Sequence, residues 1–261
     1  MYKIAIPSYK REKKISKQTL DTLKRNGIPA SKIYIFVNDI LEKAVYEEVI
    51  DKDLYNEIVS CNTKGIANIR QSINDFFPMD EEVIQIDDDI REFTIYKPGN
   101  TKMETLVGLN EFFCDAFINL KVHNKKLWGI YPVNNAFFIK NKKEAVTNGL
   151  SFCIGLCYGF ITNNQVKLSS ELCPIKEDFH NTLQHYKLWG GNIRYETISC
   201  KTTFFAPGGC GKERTLRNDI SVAYLKDTYP ELVTVKIRKK NNMKELLVKK
   251  AKKNSIKKAR N

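Results

Sequence analysis

Val83-Ile84-Gln85-Ile86-Asp87-Asp88-Asp89 is the stretch that decides the fold. Four mostly apolar residues of strand character run straight into three carboxylates. Adjacent carboxylates repel one another, which costs stability unless a cation sits among them. Alternate side chains at a strand end point the same way, so Asp87 and Asp89 are expected to share one ligand. Carboxylates together with phosphate oxygens suit Mg²⁺ or Mn²⁺. Such an ion would neutralise a diphosphate leaving group. The alternative, an acidic turn on a solvated surface, fits poorly after so apolar a strand.

Strands and helices alternate upstream of this stretch. Strands are expected over Lys3 to Ile6, Lys32 to Val37, Glu57 to Cys61 and Glu82 to Ile86. Between them, one helix carries Leu20 and Leu23 and stops at Asn26-Gly27, and a second spans Glu42 to Ile50. A third, from Gly65 to Phe77, shows the stripe Ile66, Ile69, Ile73, Phe76. The pattern predicts an α/β domain with a mixed, mainly parallel central sheet. In such sheets ligands bind beyond the carboxyl ends of the strands. Pro7-Ser8, Asn38-Asp39 and the triple aspartate all fall there.

Downstream, Thr105 to Val122 reads as a helix; Leu127 to Tyr131, Ala136 to Lys140 and Phe152 to Ile161 read as strands. Lys176 to Leu188 and Leu216 to Leu225 read as helices, and Asn192 to Tyr195 and Lys201 to Phe205 as short strands. Beyond Lys240 a basic helix or disorder is expected. The domain then spans 1–240, in halves of about 1–100 and 101–240, which the resemblance described below implies bind nucleotide sugar and acceptor, with a basic tail over 241–261.

The 261 residues suffice for one large domain, and 42% hydrophobic with 28% charged residues fits a globular protein. No apolar run approaches the roughly 18 residues of a membrane helix. None of signal-peptide length precedes Pro7, so an intracellular site is expected. Seven cysteines without a tight repeat suggest reduced thiols, and Cys153 with Cys157 lacks a second pair at zinc spacing. The net charge of +13 is unevenly placed. Residues 236–261 carry twelve Lys or Arg and one Glu, and the remainder is nearly neutral. Such a segment is the footprint of a polyanion, nucleic acid first; Lys239, Lys240, Lys249, Lys250, Lys252 and Lys253 are the expected contacts.

Lys176-Glu177-Asp178 opens a helix, where the dipole favours anions. Asp178 can cap that helix, serve as a general base for an acceptor hydroxyl, or do both. Arg11, Lys64 and Arg70 flank the expected cleft and can reach a diphosphate or nucleobase. Gly208-Gly209-Cys210-Gly211-Lys212-Glu213 is no phosphate loop: Ala206 stands where the first glycine belongs, and Glu213 where Ser or Thr belongs. His123, His180 and His185 form no catalytic arrangement and read as structural.

These features resemble the GT-A glycosyltransferases, and more closely the glycosyltransferases associated with TET/JBP-type base oxygenases in phages and large DNA viruses. The base J glucosyltransferase is a relative of that group. The matching pieces are Ile6-Pro7-Ser8-Tyr9-Lys10-Arg11, Ile35-Phe36-Val37, Lys64-Gly65-Ile66 with Arg70, Ile86-Asp87-Asp88-Asp89, Trp128-Gly129-Ile130-Tyr131-Pro132-Val133, Tyr158-Gly159-Phe160, Lys176-Glu177-Asp178-Phe179, Ala206-Pro207-Gly208-Gly209 and Tyr229-Pro230. The resemblance implies a nucleotide-sugar donor such as a UDP-sugar, a divalent metal (Mn²⁺ or Mg²⁺) and inversion. It implies as acceptor a 5-hydroxymethylcytosine or 5-hydroxymethyluracil in DNA, and hence a functional partnership with a base hydroxylase. By position, Asp87 and Asp89 correspond to metal ligands. Pro7, Ser8, Tyr9, Arg11, Asn38, Lys64, Gly65, Arg70 and Asp88 correspond to the donor site, and Asp178 or Glu177 to the base. Gly208, Gly209, Gly211 and Lys212 correspond to a loop over donor or acceptor. The chain departs from many GT-A enzymes in having no histidine after His185. Transfer to protein, polysaccharide or lipid, and a non-catalytic nucleic-acid-binding module, are the competing readings.

Overall fold

The computed structural model describes residues 2–202, 213–238 and 243–249. In chain order the strands are β1 (Lys3–Pro7), β2 (Ile33–Val37), β3 (Glu57–Ser60), β4 (Glu82–Ile86), β5 (Glu92–Ile95), β6 (Glu104–Thr105), β7 (Leu127–Ile130), β8 (Val146–Gly149), β9 (Cys157–Ile161), β10 (Asn192–Tyr195), β11 (Ile198–Lys201), β12 (Val233–Ile237) and β13 (Lys244–Val248). The α-helices are α1 (Glu12–Ile15), α2 (Asp21–Arg25), α3 (Ile40–Val49), α4 (Ile66–Phe76), α5 (Leu109–Val122), α6 (Ala136–Ile139), α7 (Glu177–Trp189) and α8 (Arg214–Thr228). A π-helical turn, Ser16–Leu20, joins α1 to α2.

Eight strands form one sheet in the order β3-β2-β1-β4-β9-β7-β10-β8. Pairs β1–β2, β1–β4, β2–β3 and β7–β10 are parallel, whereas β4–β9, β7–β9 and β8–β10 are antiparallel. Because β1, β2 and β4 run together, Pro7, Val37 and Ile86 end on one rim. Because β9 runs the other way, its first residue meets that same rim, with Cys157 opposite Ile86.

Both faces of the sheet are covered, so its strands read as near-continuous apolar runs. Ile4, Ile6, Ile84 and Ile86 point to the face packed by Phe112, Phe113 and Phe117 of α5. Ala5, Phe36 and Val83 point to the other, packed by Ile69 and Ile73 of α4. A separate cluster joins Leu183 of α7, Val222 and Leu225 of α8, Val233 of β12 and Leu246 of β13. Among the described residues no helix is long and apolar enough to cross a membrane.

Four expectations need correction. Ala136 to Lys140 is not a strand but helix α6, started by Asn135, whose side chain accepts from Phe137 N at 2.9 Å. Ala136 and Ile139 turn inward and the two phenylalanines outward, a helical spacing that four apolar residues cannot announce. The strand expected from Phe152 begins only at Cys157. The one expected over Lys201 to Phe205 lies earlier, as β11; residues 203–205 fall outside the described residues. Within the expected basic tail, Lys244–Val248 pairs antiparallel with β12, and Leu246 is buried. Lys239, Lys240, Lys250, Lys252 and Lys253 lie outside the described residues.

Gly159 sits between β4 and β7, opposite both Ile84 and Trp128. A Cβ there would stand 2.2 Å from Trp128 Nε1, in a fully buried indole. Gly159→Ala is therefore expected to destabilise the protein by about 1–3 kcal/mol through overpacking. A urea transition with an unchanged midpoint would contradict this packing.

Candidate active site at the sheet rim

β4 stops at Ile86, and the three aspartates form a turn rather than a continued strand. Three different directions result. Asp87 is half-buried and meets Arg70, with Oδ1 at 3.2 Å from Nη2. Asp88 turns inward: Oδ2 accepts from the Ser8 hydroxyl at 2.7 Å and Oδ1 from Arg11 Nη1 at 2.7 Å. Asp89 lies 3.6 Å from both Arg11 Nη1 and Lys14 Nζ and accepts the Thr202 hydroxyl. Asp87 and Asp89 thus flank a structural Asp88, an arrangement set by the turn and not by strand alternation.

The turn is held from beneath by Thr19 in the π-helical segment. Its buried hydroxyl donates to Asp87 O at 2.7 Å and accepts from Ile90 N at 2.9 Å. Thr22 adds a bond to Ile90 O at 3.2 Å. π-Turns recur at functional sites because they re-aim one side chain out of helical register. Thr19→Val keeps the shape but orphans two buried backbone groups. A stability loss of about 1–3 kcal/mol is expected, measured by denaturant titration; an unchanged midpoint would mean water replaces the hydroxyl.

Ser8 also bonds the Tyr46 hydroxyl at 2.7 Å, and that hydroxyl accepts from Arg11 N at 2.9 Å. Glu42 braces the ends of β1 and β2 together, with Oε1 accepting from Lys10 N at 2.6 Å and Oε2 from Asn38 N at 3.0 Å. Pro7 and Asn38 are buried on this rim, whereas Tyr9 and Lys64 are exposed beside it. Gly65 precedes α4 with φ +91°, and a Cβ there would collide with Ser170 at 2.4 Å.

Arg70 links the two halves of the site. It is 3% exposed, and its guanidinium is committed to protein partners. Its Nε lies 3.2 Å from Glu177 Oε1, and Nη2 donates to Gly155 O at 3.1 Å as well as to Asp87. The same residue, Gly155, donates its N–H to Asp178 Oδ2 at 3.3 Å, and Asp178 Oδ1 accepts from Phe179 N at 2.8 Å. Asp178 does not cap α7; that position is Lys176, at φ +66°. Glu177 is buried against Arg70 and Asp178 is half-buried.

Burial raises the carboxyl pKa values of Asp87, Asp88, Glu177 and Asp178. For Asp87, Arg70 opposes that rise, while Asp88, Asp89 and Glu177 add to it. Five carboxylates, the three aspartates with Glu177 and Asp178, face four cations, Arg11, Lys14, Arg70 and Lys176. The site therefore retains acidic character into which a divalent cation fits. Among the described residues no three His, Cys, Asp or Glu side chains form a metal cluster. Mg²⁺-type sites commonly use one or two carboxylates completed by substrate phosphates and water, which Asp87 and Asp89 can supply.

His180 and His185 are buried, and burial lowers both to a pKa of about 4. His185 Nδ1 lies 2.9 Å from Asn181 O, so both read as structural. Gly208, Gly209, Gly211 and Lys212 lie outside the described residues. Sequence reasoning missed Thr19, Lys14, Glu42, Tyr46, Gly155 and Thr202. Only Glu42 had a signal, the spacing Asp39-x-x-Glu42 of a capping box.

This sheet with its covering helices is the fold of the GT-A glycosyltransferases. The mannosyltransferase PcManGT from Pyrobaculum calidifontis, solved with GDP-Man and Mn²⁺, matches with a TM-score of 0.59 at 13% identity over 88% of this chain and 64% of that one. S. aureus TarS 1–349 in complex with UDP matches with a TM-score of 0.52 at 14% identity over 88% of this chain and 72% of that one. No protein-family model and no curated protein matches the sequence.

Proposed function

We propose that this protein is a metal-dependent glycosyltransferase moving a sugar from a nucleotide-sugar donor to the hydroxyl of a 5-hydroxymethylpyrimidine in DNA, with inversion. The observation that carries the transferase reading is the meeting of the Asp87–Asp89 turn with Glu177-Asp178 on one rim, joined through Arg70 and Gly155. The two structures named above were solved with UDP and with GDP-Man and Mn²⁺. The DNA acceptor is supported by the family resemblance and by the basic stretch 236–261.

Asp87 and Asp89 would hold Mn²⁺ or Mg²⁺, which when bound stabilises the charge of a departing nucleoside diphosphate. Arg11 and Lys14, on the Asp89 side, add positive charge towards the phosphates. Pro7, Ser8, Tyr9, Asn38, Lys64 and Gly65 line the rim where the nucleotide would lie. Asp88 and Arg70 act through others, fixing Arg11 and Asp87. Of the two candidate bases we assign Asp178, because Glu177 is turned into Arg70. Two backbone N–H groups orient the Asp178 carboxylate, which removes the acceptor proton as the new bond forms.

The test is a transfer assay with a panel of UDP- and GDP-sugars and hydroxymethylpyrimidine DNA, with Mn²⁺, Mg²⁺ or chelator, read as nucleoside mass after digestion. The expected result is a metal-dependent gain of one sugar. Donor hydrolysis without gain on DNA would overturn the acceptor and keep the transferase. Neither hydrolysis nor gain with any donor would favour the binding-only alternative.

A further inference from the structure

α6 places two aromatic rings in solvent. With Ala136 and Ile139 packed towards Tyr96, Phe137 is left 65% exposed and Phe138 52%. Their centroids are 5.3 Å apart, edge to face. Single exposed apolar residues are ordinary, but two adjacent aromatics need a reason. One cation touches the pair, and two more follow in sequence. Lys140 Nζ stands 5.2 Å from the Phe137 ring, and Lys142 and Lys143 follow directly.

Lys142 and Lys143 then enter the wall of a cavity of about 460 Å³ between the β8–β10 sheet edge and β13. Four cations, Lys142, Lys143, Arg194 and Lys249, face two carboxylates, Glu144 and Glu196, across it. Glu196 is buried and committed: it receives Arg194 Nη2 at 2.6 Å and Lys142 Nζ at 3.1 Å. Phe152 and Phe179 add a stacked pair to the lining, with centroids 4.0 Å apart, and Phe179 directly follows Asp178. From Lys249 the chain continues into 250–261, which carries six Lys or Arg and no acid.

We propose that the surface running from Phe137 and Phe138 over Lys140 and Lys143 into this cavity is a groove for a single-stranded stretch of nucleic acid. Exposed rings offer stacking platforms that only unpaired bases can use, and the flanking lysines meet the phosphates. The cations argue against a purely apolar partner. As the docking surface of the acceptor, the groove rests on the DNA reading above; the binding itself does not.

The experiment is fluorescence anisotropy of a labelled, unmodified oligothymidine with the full chain over a range of salt. Phe137→Ala with Phe138→Ala should weaken binding by roughly tenfold or more, with little change in salt dependence. Lys143→Ala should weaken it and lower the salt slope by about 0.7, the single-strand value for one phosphate contact. Thermal melting checks that these exposed substitutions leave folding intact. The groove is overturned if the aromatic variant binds as tightly as the parent, or if inorganic polyphosphate binds as well as the oligonucleotide. Self-association that the aromatic variant abolishes would overturn it too, assigning the patch to a second copy. Oligonucleotide binding as expected, with no sugar transferred to any hydroxymethylated DNA, keeps the groove and sinks the acceptor reading. Full transfer by the aromatic variant keeps the acceptor reading and overturns the groove as the acceptor's docking surface.

Discussion

Replacing Asp178 with asparagine should lower sugar transfer by about 10²–10⁴-fold, the usual contribution of a general base. The substitution is nearly isosteric, and the amide oxygen can still accept from Gly155 N or Phe179 N. It cannot take a proton from the acceptor. Donor affinity, measured by titration with nucleoside diphosphate and Mn²⁺, should therefore hold while turnover collapses. If turnover stayed within a few-fold of the parent, Asp178 would be only an anchor for the Gly155 peptide. Glu177→Gln provides the contrast. Glu177 is buried against Arg70, so its loss should show mainly as altered stability.

Replacing Arg70 with leucine should cost about 3–5 kcal/mol of folding free energy, because it strands buried carboxylates without their cation. Asp87 and Glu177 both depend on that guanidinium, and Gly155 O loses its donor. The sign of the pH dependence follows. An unpaired buried carboxyl has a folded pKa above its unfolded one, so it binds its proton more readily in the folded state. Its penalty is absent below the unfolded value, grows as pH rises from there, and is complete above the folded value. The deficit of the variant, measured by urea titration, should therefore be larger near pH 8 than near pH 5. Adding Glu177→Leu should recover part of it, since removing both partners of a buried pair is often close to neutral. A deficit independent of pH, and untouched by the second substitution, would show that the carboxylates escape to water.

What the sequence revealed, and what it hid, follows from the range of the interactions. β4 and α4 were legible because their apolar spacing is local: Val83, Ile84 and Ile86 leading into Asp87, and Ile69 with Ile73 on one helical face. The convergence of β1, β2 and β4 on one rim was legible because alternating elements imply a parallel sheet. α6 was misread because Ala136-Phe137-Phe138-Ile139 is too short to show a period. The burial of Arg70 was hidden because its partners Asp87, Gly155 and Glu177 lie up to 107 positions away, and nothing near Arg70 announces them. Thr19 was hidden because a threonine within a helix carries no mark of the backbone groups it will staple. The middle aspartate was expected at the donor site, and only the turn decides that its side chain faces Ser8 and Arg11.

The β12–β13 hairpin changes how the basic end of the chain can be dissected. Val235 pairs with Leu246 and Lys236 with Glu245, while Leu246 fills the space between α7 and α8. A deletion that starts at Lys236 would remove a strand and a half of packed structure along with the charge. Any loss of affinity would then report unfolding around α7 as much as missing lysines. A stop codon after Lys249 leaves both strands in place, since Lys249 N closes on Leu232 O at 2.8 Å. It still removes six of the twelve basic side chains in residues 236–261. That position divides deletions that ask about charge from deletions that ask about folding.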